Sequence, residues 1–141
     1  MLTLDHVGIA VRHLGDAAQV YKTLFGLTIT ERYELPAEGV RIAFVRSGAV
    51  DLEFLEPVGE GGPLATFLAT RGPGLHHVAF RVPDLKAALA AAVAGGATPV
   101  EPAPRRGARG SLIAFLHPST AGGVLVELVE RQTLAASFPV G

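Results

Sequence analysis

Apolar residues in this chain come in short runs, each broken by glycine, proline or a charged residue. Read for period, the runs place strands near residues 3–11, 27–33, 40–47 and 50–57, and again near 75–82, 98–101, 111–117 and 123–130. Helical stretches fall near 15–25 and 84–94, with a short connecting helix from Pro63 to Thr70. Asp16 and Asp84 stand where N-caps are needed, and Gly26, Gly95 and Gly96 stand where the helices stop. Ser47-Gly48 and Ala121-Gly122-Gly123 occupy the hairpin positions, although Asn-Gly and Asp-Gly signals are missing. Residues 102–110 read as a loop and residues 132–141 as a tail.

The order of strand, helix and further strands occurs twice, and the residues repeat with it. LDHVGIAVRHL at 4–14 is echoed by LHHVAFRVPDL at 75–85, pairing His6 with His77, Val7 with Val78 and Val11 with Val82. Later, VDLEFLE at 50–56 is echoed by VLVELVE at 124–130, pairing Glu53 with Glu127 and Glu56 with Glu130. The chain therefore reads as one domain, residues 1–141, made of modules at about 2–58 and 74–131.

Composition narrows what such a domain can do. At 141 residues, 49% of them hydrophobic, the chain is long enough to bury a core and too apolar to be disordered. Twelve basic residues against 13 acidic give a net charge of −1, which argues against nucleic-acid binding. With no cysteine, disulfides, thiolate metal sites and cysteine nucleophiles are excluded, so any metal must be held by histidine and carboxylate. No run is long enough for a membrane span and no signal-peptide pattern stands at the N-terminus, so a cytoplasmic protein is expected.

The repeat gives each half one histidine on its first strand and one glutamate on its last. If the halves pack about a pseudo-two-fold axis, His6, Glu53, His77 and Glu127 converge. Imidazole nitrogens and carboxylate oxygens in such a cluster suit a divalent transition metal, and a six-coordinate ion would keep positions open for substrate oxygens. Each residue alone has an ordinary reading, a hydrogen-bonded core histidine or an edge carboxylate. Matched positions argue otherwise, and Glu53 and Glu127 sit in apolar strands where an unpaired carboxylate is costly. Alternation along the strand puts His76 on the face of Val78 and Phe80, away from His77. His13 and His117 read as turn residues, and Glu56 and Glu130 as acids at strand ends. Arg105, Arg106 and Arg109 form a basic cluster that is either a solvated loop or a contact for a phosphate or carboxylate.

The segments LDHVGIAV, GLHHVAFRV, the RRG…GS.I.FLHP run and GGVLVELVE resemble the methylmalonyl-CoA epimerases of the vicinal-oxygen-chelate superfamily, over about residues 2–131. The resemblance implies an α+β fold in which tandem βαβββ modules form a curved, partly closed mixed sheet. It implies His6, Glu53, His77 and Glu127 as ligands of a divalent cobalt, manganese, nickel, zinc or iron ion. The implied activity is epimerisation of methylmalonyl-CoA, with a proton removed and returned at the alpha carbon through a metal-stabilised enediolate. Glu127 and Glu53 would be the acid/base pair, because relatives with Gln at position 53 often carry an acid where Ile42 stands here. Arg105, Arg106 and Ser111 are the candidate contacts to an acyl-CoA substrate, and a homodimer is expected. Ser119 stands where the family usually has lysine. A glutathione-dependent isomerase of the glyoxalase I type, a ring-cleaving dioxygenase and a metal-free binding protein are the rival readings on the same scaffold.

Overall fold

A computed structural model describes residues 2–131; the expected tail at 132–141 lies outside them. The elements run β1 (Thr3–Ala10), α1 (Leu14–Phe25), β2 (Ile29–Leu35), β3 (Val40–Ser47), β4 (Val50–Pro57), α2 (Pro63–Arg71), β5 (Gly74–Arg81), α3 (Leu85–Ala94), β6 (Arg105–Arg106), β7 (Leu112–Leu116) and β8 (Val126–Glu130). Two βαβββ sequences are therefore present, joined by α2, and the fold is α+β as expected. Among the described residues no helix is long and apolar enough to cross a membrane.

By packing, the chain divides into two compact units, the first covering Leu4–Ala79 and the second the rest of the described chain. In the first, strands are ordered β2-β3-β4-β1-β5. The pairs β2–β3 and β3–β4 are antiparallel, whereas β1 runs parallel to β4 with Gly8 opposite Glu53. Gly48 takes a φ of 69°, closing the β3–β4 hairpin at the position expected for it. Helix α1 covers this sheet through Leu14, Ala17 and Tyr21, against Val11, Ala43, Val45 and Phe54. In the second unit the order is β8-β7-β6, and α3 packs Leu85, Ala88 and Leu89 against Ala114, Leu116 and Leu128.

Helix ends confirm Gly26, in the left-handed conformation, and Gly95 as C-caps, and Asp84 as an N-cap that accepts the Ala87 amide at 3.1 Å. Asp16 does not cap α1. The helix begins two residues earlier, with His13 at the cap position and no side-chain cap bond, and Asp16 lies in the first turn. The Leu14 amide instead donates to Glu56 Oε2 at 2.7 Å, from the end of β4. Glu130 Oε1 does the same for the Leu85 amide at 2.9 Å. Glu56 and Glu130, expected as plain strand-end acids, fasten the helices.

The expected strand at 98–101 does not form. Only Pro99 bridges to Leu116, flanked by the Val100 amide donating to the Phe115 carbonyl at 2.9 Å and the His117 amide donating to the Thr98 carbonyl at 2.7 Å, and Pro102 has no amide hydrogen with which to extend the pairing. The strand of this region is β6, inside the expected loop at 102–110, followed by a 3-10 turn at Ala108–Gly110. Strand β8 starts at Val126 rather than 123, because Gly122 and Gly123 are spent on the turn at φ 70° and 88°.

Candidate metal centre

In the first unit, β1 carries His6, the parallel partner β4 carries Glu53, and β5, on the other side of β1, carries His77. All three side chains are buried, with exposures of 3%, 4% and 3%. His6 Nε2 lies 3.2 Å from His77 Nε2 and 3.6 Å from Glu53 Oε1, and His77 Nε2 lies 3.2 Å from the same oxygen. Their ligand atoms fall within 4.8 Å of one another.

Gly8 makes this possible. A Cβ added there would run into the His77 ring, so the imidazole reaches the cluster across space that any side chain at position 8 would fill. The Phe44 ring, 2% exposed, stands edge-on to His6 with centroids 5.9 Å apart and closes that side with an apolar wall. Asp5, also buried, reaches His6 Nδ1 at 2.7 Å. His76 Nδ1 approaches His77 Nδ1 at 2.9 Å, so both imidazoles are held from behind at the same ring atom.

The donor set fits a divalent transition metal. Two imidazole nitrogens and a carboxylate oxygen converge in a desolvated space, where a cation between them relieves the cost of burying the carboxylate. Their engaged Nδ1 atoms leave Nε2 as the atom each ring turns toward the cluster, the arrangement metal-ligating histidines adopt.

Glu127 lies on β8 in the second unit, buried at 5% and opposite Phe115 on β7. The arginine loop belongs to that unit too. Arg105 Nε donates to Glu101 Oε1 and Oε2 at 2.8 and 3.0 Å, with its guanidinium 5.9 Å from the Phe115 centroid. Arg106 is exposed and donates to the Gly110 carbonyl at 3.0 Å. Ser111 is buried, and its hydroxyl donates to the Ala108 carbonyl at 2.7 Å. His13 is exposed, as expected for a turn residue, and so is His117, whose Nδ1 accepts the Ser119 amide at 3.1 Å. Sequence reasoning missed Asp5, and although it placed His76 on the face of Val78 and Phe80, where the burial pattern has it, it did not foresee that the ring reaches His77. The adjacency of each to a histidine of the cluster, at equivalent positions of the repeat, is the signal that marks them.

Residues 5–115 match the model of the glyoxalase/bleomycin resistance protein/dioxygenase superfamily, and the chain belongs to that superfamily. The methylmalonyl-CoA epimerase, mitochondrial, of Homo sapiens is 38% identical over 126 residues, which are 89% of this chain and 72% of that protein. The ethylmalonyl-CoA/methylmalonyl-CoA epimerase of Cereibacter sphaeroides is 37% identical over 89% of this chain and 95% of its own length. A Streptomyces coelicolor methylmalonyl-CoA epimerase variant, solved with 2-nitronate-propionyl-CoA, superposes with a TM-score of 0.90 at 36% identity, covering 94% of this chain and 100% of that one. Within the superfamily the chain belongs to the methylmalonyl-CoA epimerase family of isomerases.

Proposed function

We propose that this chain epimerises methylmalonyl-CoA at a divalent-metal centre held by His6, Glu53, His77 and Glu127. The observation that carries the reading is the buried convergence of two imidazoles and a carboxylate around Gly8. Glu127 joins the set by its place in the repeat, matched to Glu53, and by its burial without apolar justification. When bound, the ion, whether cobalt, manganese, nickel, zinc or iron, supplies Lewis acidity where negative charge develops on the thioester oxygen.

The protons are moved by carboxylates of this chain. Inversion at carbon requires one base on each face of the planar enediolate, and Glu53 and Glu127 are the pair. Glu53 Oε1 meets both imidazoles, so Oε2 is the oxygen assigned to the proton. Ile42 is buried and aliphatic at the position where relatives with Gln at 53 carry an acid, which leaves Glu53 to serve as second base. Phe44 excludes water beside His6 and keeps the local dielectric low. Arg105, Arg106 and Ser111 are assigned to the charged end of the acyl-CoA, with Arg106 the most open to it.

The test is deuterium incorporation at the alpha carbon of methylmalonyl-CoA in heavy water, with and without added divalent metal. Metal-dependent exchange is expected, and interconversion of the two epimers is expected to fall by about 10³-fold in Glu127→Gln, with exchange confined to one epimer. Interconversion that persists in Glu127→Gln removes that residue from the pair. No exchange, with turnover of a glutathione hemithioacetal, replaces the epimerase reading with the glyoxalase I one.

A further inference from the structure

Asp5 and His76 occupy one position of the internal repeat, each immediately before a histidine of the cluster. Successive Cβ atoms of a strand point to opposite faces, so Cβ direction alone would send both side chains away from their neighbours. Their polar atoms nevertheless come back. Asp5 Oδ2 stands 2.7 Å from His6 Nδ1, and His76 Nδ1 stands 2.9 Å from His77 Nδ1. In both cases it is Nδ1 that is engaged, and in both it is Nε2 that faces the cluster, with the two Nε2 atoms 3.2 Å apart.

Hydrogen-bond chemistry turns this placement into a constraint. An ionised carboxylate only accepts, so His6 must donate from Nδ1. A neutral imidazole carries one N–H, which leaves His6 Nε2 with a bare lone pair. His76 is a less strict partner, because an imidazole nitrogen can accept or donate according to tautomer. It supports ligation by His77 when it accepts the Nδ1 hydrogen and keeps its own hydrogen on Nε2. Its ring is steadied by Phe67 of α2, edge-on at 4.9 Å between centroids.

We propose that Asp5 and His76 are the positioning residues of the centre, each holding its neighbour in the Nδ1–H tautomer so that both Nε2 lone pairs meet the ion. The inference rests on the reading of His6 and His77 as ligands. It goes beyond that reading in assigning unequal parts: Asp5 dictates the tautomer of His6, whereas His76 permits that of His77.

Two measurements test it, both on the full chain. The first is titration of metal-free protein with Co²⁺, followed by the visible absorption of the bound ion. Asp5→Leu keeps roughly the shape of the side chain but offers no acceptor for the Nδ1 hydrogen, and is expected to weaken Co²⁺ binding by about 10–100-fold. His76→Gln, whose amide oxygen can accept, is expected to bind as wild type does. His76→Phe keeps the packing against Phe67, offers no acceptor, and is expected to bind more weakly. The second is the ¹⁵N NMR signature of His6 in the metal-free protein in neutral solution, which reports where the ring hydrogen sits. Nδ1–H is expected in wild type and a loss of that preference, with Nε2–H populated, in Asp5→Leu, a change that a merely structural role would not produce.

Undiminished affinity in Asp5→Leu overturns the positioning role and leaves the metal site standing. A His6 hydrogen on Nε2 in wild type overturns it whatever the metal result, and also if Asp5→Leu fails to fold. A wild-type chain that shows Nδ1–H on His6 but binds no Co²⁺ overturns the ligand reading, and the positioning role with it.

Discussion

At the start of α1 the Leu14 amide donates to Glu56 from the end of β4; at the start of α3 the Leu85 amide donates to Glu130 from the end of β8. Both acids stand three residues beyond the glutamate assigned to the metal centre on the same strand. The backing differs between the halves. Helix α3 has a second, local cap, because Asp84 also accepts the Ala87 amide. Helix α1 has no such cap at His13 and relies on Glu56, which Arg41 holds from the other side at 2.9 Å, with Glu34 on Arg41 in turn. A helix start can be fixed by its own sequence or by a strand 42 residues away, and the repeat uses both solutions at equivalent places.

The largest effect is expected where the halves are made alike at position 8. Its repeat counterpart is Ala79, fully buried, so Gly8→Ala copies the second half into the first. The methyl group collides with the His77 ring. Displacing that ligand by even an ångström is expected to cost about 10²-fold in kcat/KM, with Co²⁺ affinity falling in parallel. Unchanged binding in Gly8→Ala would show that the ring has another place to go.

A smaller contrast separates the two fastening acids. Glu56→Gln is expected to destabilise by about 1–2 kcal/mol in urea unfolding, because a charged acceptor of a buried-end amide is lost. Glu130→Gln is expected to cost less, about 0.5–1 kcal/mol, since Asp84 still caps α3. Equal losses would mean that the local cap adds nothing.

The smallest effect is on acidification. Burial pushes the Glu56 carboxyl upward, but the Leu14 amide and the hydrogen bond and charge of Arg41 outweigh it, so its pKa lies below the usual 4.5. A carboxyl lowered on folding stabilises the fold fully above its unfolded value and loses that contribution as pH falls through the folded one. The stability gap between wild type and Glu56→Gln is therefore expected to be constant above pH 4.5 and to narrow below it, as followed by thermal unfolding. A gap that widens in acid contradicts the assignment.

Much of this was legible in the chain. Strands β3 and β4 fall where their apolar pattern puts them, and the repeat by itself singles out His6, Glu53 and His77, which the fold brings together. What stayed hidden depended on contacts distant in sequence, or on side-chain reach. Asp16 looks like a cap because it precedes an apolar helical pattern, yet Glu56 supplies the bond from another strand. Residues 98–101 carry strand-like Thr and Val and do bond to Phe115 and His117, but Pro102 lacks the amide hydrogen to carry the ladder past a single bridge. His76 stands on the face of Val78 and Phe80 as alternation requires, but alternation is a rule about the first carbon; the imidazole is long enough to reach back to His77, and does.

Strand β5 has a further consequence. By sequence it opens the second module, but by packing its residues up to Ala79 belong with the first. The second copy thus lends its histidine to its neighbour's sheet. One module supplies a single histidine to the cluster, so neither copy of the repeat holds the imidazole pair by itself.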